Sequence, residues 1–205
     1  MPAELVRDNA LASSGILVAQ VGGPSVYPYQ PPGIWDGLNG NRYPDPLGIP
    51  ADEQHRRSLY SFVKRNAPHP AMAAFDFPDR GTTTVKRNTS NTPIQALVLL
   101  NDPQYLEAYK ALATQALKAE RTADGQITRV FRLATRRVPR ADELTTLRTY
   151  YEEQVRYYSR DSAAATALVT VGVTPPDPSV EQGQLAALTT VAAVVMNTPD
   201  AYTLR

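Results

Sequence analysis

The chain of 205 residues contains no cysteine. That excludes disulfides, thiolate nucleophiles, iron–sulfur ligation and covalently attached c-type haem within it. Only two histidines occur, His55 and His69, separated by a proline-bearing stretch, with no His-Glu-x-x-His or comparable ligand spacing. Both are expected at the surface, and no metal site is expected. No apolar run approaches the roughly 20 residues of a membrane-spanning helix. Neither sign of charge dominates: 21 basic residues face 20 acidic ones, for a net charge of +1. This balance argues against nucleic acid or an anionic membrane as the main partner. There is no G-x-S-x-G frame. Ser13-Ser14-Gly15 falls inside an expected helix, where a nucleophile elbow cannot form. Gly22-Gly23 follows a helix and lacks a Lys-Ser/Thr pair, so it is no phosphate loop. The chain has no internal repeat.

What is abundant is proline, at 18 residues, where average usage would give roughly ten. Ten of the 18 lie between Pro24 and Pro78, and seven of the 11 glycines lie between Gly15 and Gly48. The composition divides a single domain, 1–205, into an N-terminal helix (1–23), a loop-rich wrapping segment (24–90) and a helical bundle (91–205). Residues 24–50, PSVYPYQPPGIWDGLNGNRYPDPLGIP, cannot form a long helix, because proline recurs too often. Tyr27, Tyr29, Trp35 and Tyr43 are interleaved there. They either anchor the loop on the helical core or form a binding surface.

The first helix is expected over residues 3–20, with Leu5, Ala12, Ile16 and Ala19 near helical spacing and Gly22-Gly23-Pro24 as its stop. Residues 53–66 read as a short helix ended by Pro68 and Pro70, although Tyr60 and Phe62 also suit an alternating strand. The stretch from Ala71 to Ser90 reads as irregular. In TSNTPIQALVLLNDPQYL, Asn91 or Thr92 and then Asp102 are caps, and Pro93 and Pro103 take first helical positions. Tyr105, Tyr109, Leu112 and Ala116 form one stripe. Asp124 is the expected cap of a helix carrying Ile127, Val130, Phe131 and Ala134. Leu144, Leu147, Tyr151, Val155 and Tyr158 recur at helical steps. A short helix ending at Gly172 follows, then a last one marked by Leu185, Leu188, Val191 and Val195. The fold expected is mainly α: a bundle of five to seven helices with a long aromatic-anchored loop packed on it.

Candidate site residues gather before the bundle. Asp76 and Asp79 in FDFPDRG could serve as acid and base on a sugar; the plainer reading is that they hold their own turn and pair with Arg80. Seven basic residues lie from Arg56 to Arg87 (Arg56, Arg57, Lys64, Arg65, Arg80, Lys86 and Arg87), against Asp76 and Asp79. They would suit a sulfated polymer, or form a solvated face. Aromatic faces beside guanidiniums and carboxylates suit sugars, so the ligand-binding candidates are Tyr29, Trp35, Arg56, Arg57, Asp76, Asp79, Arg80 and Arg87. No catalytic constellation is evident.

Several strings together resemble one family: ELVRDNALASSGILVAQVGGPSVYPYQPPGIWD, RRSLYSFVKRNAPHPAMAAFDFPDR, KRNTSNTPIQALVLLNDPQYLEAYKALA, VFRLATRRVPRADEL and LAALTTVAAVVMNTPDAYT. They are similar to the C-terminal domain of planctomycete-type multidomain proteins, domain of unknown function 1553. The resemblance implies the C-terminal part of a larger exported or periplasmic protein. Its upstream partners would include a c-type cytochrome module, which would hold the haem c; no cofactor is expected on this chain. It implies no established activity or catalytic residue. The opening MPAELVRDNALASSG has no basic n-region or apolar h-region, so an export signal would lie upstream. The expected role is an accessory, scaffolding or substrate-binding module. The alternatives are part of an enzyme site on complex, including sulfated, polysaccharides, and a docking module for electron transfer to the cytochrome.

Overall fold

Helix α1 (Ala3–Ser13) stops well short of the expected residue 20. A Schellman turn closes it. Gly15 takes φ +74°, its N–H bonds the Ala12 carbonyl at 3.1 Å, and the Ile16 N–H bonds the Leu11 carbonyl at 3.0 Å. Glycine takes this left-handed conformation without Cβ strain, so the residue expected inside the helix instead terminates it. With Ile16 and Ala19 beyond the helix end, the buried stripe is Ala3, Val6, Arg7, Ala10 and Leu11, and Leu5 is 40% exposed.

The computed structural model describes residues 1–36, 43–45 and 48–203. The parts of the expected proline-rich loop at 37–42 and 46–47, and the chain end at 204–205, lie outside the described residues.

The short helix expected over 53–66 is replaced by α2 (Ala51–Gln54), a single 3-10 turn (Ser58–Tyr60) and extended backbone. That backbone runs parallel to residues 18–26. The Val18 N–H bonds His55 O at 3.0 Å, Val26 N–H bonds Tyr60 O at 2.8 Å, and Phe62 N–H bonds Val26 O at 2.8 Å. Pairing between segments outweighed the local helical spacing. Pro70 does not end a helix but opens α3 (Pro70–Ala74), within a stretch expected to be irregular. At a first helical position its missing N–H costs nothing.

Helices α4 (Pro93–Asn101) and α5 (Pro103–Ala119) begin as their prolines indicate. Thr92 and Gln95 form a capping box on α4, and the Asp102 carboxylate accepts the Gln104 N–H at 2.9 Å on α5. On α6 (Ala123–Thr135) the cap is Thr122, whose hydroxyl oxygen accepts the Gly125 N–H at 3.2 Å; Asp124 lies in the first turn instead. Then come α7 (Ala141–Arg160), α8 (Ser162–Val169), α9 (Gln182–Met196) and α10 (Pro199–Tyr202). The last had not been expected; Pro199 again opens it. Among the described residues there are ten α-helices and no strand.

Helix α9 is the centre of the bundle. It has no charged side chain and is apolar around most of its circumference, so it packs against α4, α5, α6, α7, α8 and α10. Leu185, Leu188, Val191 and Val195 are essentially fully buried, as are Ala186, Ala187 and Ala192, whose small side chains admit close neighbours. Tyr105, Tyr109, Leu112 and Ala116 of α5 and Leu147, Tyr151 and Tyr158 of α7 complete the core on the stripes their spacing indicated.

Candidate functional site

The eight candidate residues do not converge on one site. Trp35 is only 8% exposed and belongs to an aromatic cluster. Its ring meets Tyr43 edge-on at 4.9 Å and lies 5.8 Å from Phe62, while Tyr27 stacks on Phe62 at 5.0 Å. Lys64 Nζ sits 4.1 Å over the Trp35 ring. These rings pack on one another and anchor the proline-rich segment, burying Trp35 while Phe62, an unforeseen member, stays 39% exposed. Tyr29 contributes its carbonyl, which accepts from Gln104 Nε2 at 2.8 Å and lies 2.7 Å from His69 Nε2.

Arg56 is buried. Its guanidinium donates to the carbonyls of Pro24 (3.1 Å), Gln20 (3.4 Å) and Gly22, and lies 4.2 Å over the Tyr60 ring. Arg57 pairs with Asp8 at 3.6 Å. Asp79 accepts the Gly81 N–H at 2.8 Å, holding its own turn. Arg80 does not pair with either aspartate; it covers the Phe77 ring at 5.2 Å, and Arg87 lies 5.9 Å from the same ring.

Asp76 and Arg87 do come together, on one recess of about 420 Å³. Asp76 holds φ +58° and accepts from both the N–H (2.7 Å) and the hydroxyl (2.8 Å) of Ser90. Ser90 Oγ in turn accepts from Gln95 Nε2 at 3.0 Å, which ties the loop to the start of α4. Arg87 makes a two-pronged contact with Glu4 at 2.7 and 3.0 Å. Burial alone would raise the Glu4 carboxyl, but the Arg87 hydrogen bonds and charge outweigh it and hold it below the ordinary carboxylate range. Val6, Phe75 and Tyr202 supply the apolar lining. The recess can receive a ligand with an apolar face and hydrogen-bonding groups. Both of its charged candidates already have partners, Ser90 for Asp76 and Glu4 for Arg87.

Sequence reasoning missed a buried polar spine on α1 and α5. Arg7 Nε donates to Gln104 Oε1 at 2.6 Å; its other nitrogens reach Arg56 O (2.9 Å), Ser58 Oγ (3.2 Å) and Gln54 O. Asp8 accepts the Ser58 N–H at 2.7 Å. Further along α5, Glu107 accepts the Thr174 N–H at 2.8 Å, and Lys110 donates to Val171 O (2.8 Å) and Thr174 O (2.6 Å). Gln104, Glu107 and Lys110 follow one another at steps of three, a periodic polar face that was the available signal. Each satisfies loop backbone that would otherwise be buried without partners.

The two histidines belong to this spine and are not at the surface: His55 and His69 are 7% and 8% exposed. His55 Nε2 lies 3.5 Å from Glu107, while His69 faces the Tyr29 carbonyl. The irregular segment wraps over α5 and covers both. Burial pushes His69 down to about 4, partly offset by its backbone hydrogen bond. Burial pushes Asp102 up to about 6, against the Gln104 and Arg7 contacts. Burial would raise Glu107, but hydrogen bonds from His55 and Thr174 bring it down to about 2.

Among the described residues, no group of three His, Cys, Asp or Glu side chains could hold a metal, and no helix is long and apolar enough to cross a membrane. The molecule is therefore a helical domain that commits most of its conspicuous polar side chains to holding an irregular segment against a bundle. The chain belongs to PSD1, a family of proteins of unknown function (DUF1553), whose model matches residues 1–151. The match stops within α7, so the string LAALTTVAAVVMNTPDAYT lies outside it. No curated protein and no solved structure matches the chain.

Proposed function

We propose that the chain is an accessory scaffolding module of a larger exported protein, docking on a neighbouring domain of the same polypeptide. One observation carries this reading. Helix α4 is strongly apolar, yet only Gln95 and Leu99 are buried; Ile94 is 62%, Leu97 58% and Leu100 37% exposed. Ile94 and Leu97 are three residues apart and share a face. Contiguous apolar groups left in water mark an interaction surface, and covering a Leu or Ile side chain gains about 1.5–3 kcal/mol. The neighbour is the c-type cytochrome module that the family resemblance implies, with haem c held there, since this chain has no cysteine. The same contact would serve electron transfer.

The test is association of the separately expressed domain with that module, with and without Leu97→Asp. Binding lost in the variant, with unchanged circular dichroism, supports the reading. Measured glycan turnover by the isolated domain overturns it. A second reading, a site for complex polysaccharide, is favoured by the recess between Phe75, Tyr202, Asp76 and Arg87. Calorimetry with neutral and sulfated oligosaccharides, repeated on Arg87→Ala, tests that reading separately.

A further inference from the structure

Helix α6 turns one face inward, with Ile127, Val130, Phe131 and Ala134 buried. Its opposite face carries Gly125, Thr128, Arg129, Arg132, Leu133 and Arg136, which line a groove of about 620 Å³ together with Glu120 and Asp124. These positions recur at helical steps of three and four, so three guanidiniums share one side of one helix. Elsewhere, Arg7, Arg57, Arg87, Arg137, Arg140 and Arg148 have carboxylates within ion-pair distance, whereas Arg65, Arg80, Arg121, Arg156 and Arg160 have none among the described residues but are scattered over the chain. Arg129, Arg132 and Arg136 have none among the described residues, and Arg129 Nε is out of contact with water without an acceptor.

Two further features point the same way. Every other threonine inside a helix returns its hydroxyl to a carbonyl about one turn back, as Thr114, Thr145 and Thr189 do at 2.7–2.8 Å. Thr128 makes no such bond among the described residues, so its hydroxyl is free to face the groove. Arg136 holds φ +65° at the end of α6, a left-handed position where glycine or asparagine is normal. Two carboxylates oppose the three guanidiniums: Asp124, which meets Arg148 through one oxygen at 3.2 Å and leaves the other without a partner, and Glu120.

We propose that this face of α6 is a binding site for a tetrahedral oxyanion, a phosphate or sulfate group, free or carried as a monoester. Guanidiniums present paired N–H donors that match such an anion, and the Thr128 hydroxyl adds a donor. The site is separate from the α4 surface and from the recess at Arg87, and does not depend on either.

The experiment titrates the full chain with inorganic phosphate, inorganic sulfate, glucose 6-phosphate and glucose 6-sulfate, following arginine side-chain resonances and calorimetric heat. Arg129, Arg132 and Arg136 resonances shift on binding, and the affinity falls as salt rises. Tighter binding of the esters identifies an ester site; equal binding identifies a site for the free ion. Arg132→Gln weakens binding about tenfold, the loss of one charged hydrogen-bonded contact. Glu120→Gln strengthens it by removing one opposing charge. Arg136→Gly separates binding from folding: it relieves the left-handed backbone and raises Tm, yet weakens the anion. No shift with any probe, or affinity unchanged in both Arg132→Gln and Arg136→Gly, overturns the proposal.

Discussion

Arg7 and Gln104 meet at 2.6 Å in the interior, joining α1 to α5 across 97 positions of sequence. From that point the guanidinium also reaches the carbonyls of Gln54 and Arg56. Arg7 therefore makes a first prediction. Replacing it with leucine leaves the buried Gln104 amide oxygen and the Arg56 carbonyl without this donor, and costs about 3–5 kcal/mol. Arg7→Lys recovers only part of this, because an ammonium cannot span the planar fork of acceptors. Urea unfolding reads the loss, and limited proteolysis should cut first around residues 54–60. A leucine variant as stable as the parent would show that Arg7 does not hold the segment.

Glycine substitutions distinguish backbone strain from collision. At Gly172, φ is +94° and an added Cβ would stand 2.6 Å from the Glu107 carboxyl group. Glu107 is held by the Thr174 N–H at 2.8 Å and cannot retreat cheaply. At Gly22, φ is +80° with nothing within 4 Å. Gly22→Ala should cost about 1 kcal/mol and Gly172→Ala about 3 kcal/mol or more. Adding Glu107→Ala to Gly172→Ala should be less than additive, since it removes the collision. Denaturant midpoints of the parent, Gly22→Ala, Gly172→Ala, Glu107→Ala and the double variant provide the check.

Two of the buried titrating groups, His69 and Asp102, oppose each other below neutrality. His69, depressed to about 4, binds its proton more weakly folded than unfolded. Its contribution is full above the unfolded value near 6.5 and is lost as pH falls toward 4. Asp102, raised to about 6, binds its proton more tightly folded. Its contribution is largest below the unfolded value near 3.9 and is lost as pH rises through 6. Asp102→Asn, which keeps an N-cap acceptor, should therefore stabilise the protein at pH 7 by up to about 3 kcal/mol, with the gain vanishing near pH 4. His69→Gln should flatten the loss of stability between pH 6.5 and 4. Unfolding free energies across pH 4–8 decide both, and an Asp102→Asn effect independent of pH would rule out a titrating carboxyl.

Much of the bundle is legible in the sequence. Pro93 and Pro103 behind Thr92 and Asp102 placed two helix starts to the residue, because a cap and a missing donor act locally. The stripes of α5, α7 and α9 followed from periodicity. The wrapping segment was less legible. Residues 53–66 carry helical spacing, but their backbone found partners in residues 18–26. His55 and His69 read as surface residues because polarity predicts exposure only where nothing folds over it.

The candidate site was least legible of all. Asp76 and Arg87 reach a common recess, but Trp35, Arg56 and Arg57 are held elsewhere by partners that no local pattern announced. Sequence proximity between residues 56 and 87 carried no information about which loop each would satisfy.

Helix positions, caps and the charge-free central helix α9 were determined by the sequence itself, since each depends on residues within a turn or two of one another. Tertiary structure alone decided that Arg7, Gln104, Glu107 and Lys110 would be buried as clamps on loop backbone, that α4 would expose its apolar face, and that Arg129, Arg132 and Arg136 would find no carboxylate among the described residues. Those outcomes depend on which backbone groups need donors and which surfaces find cover, and chain segments distant in sequence settle both.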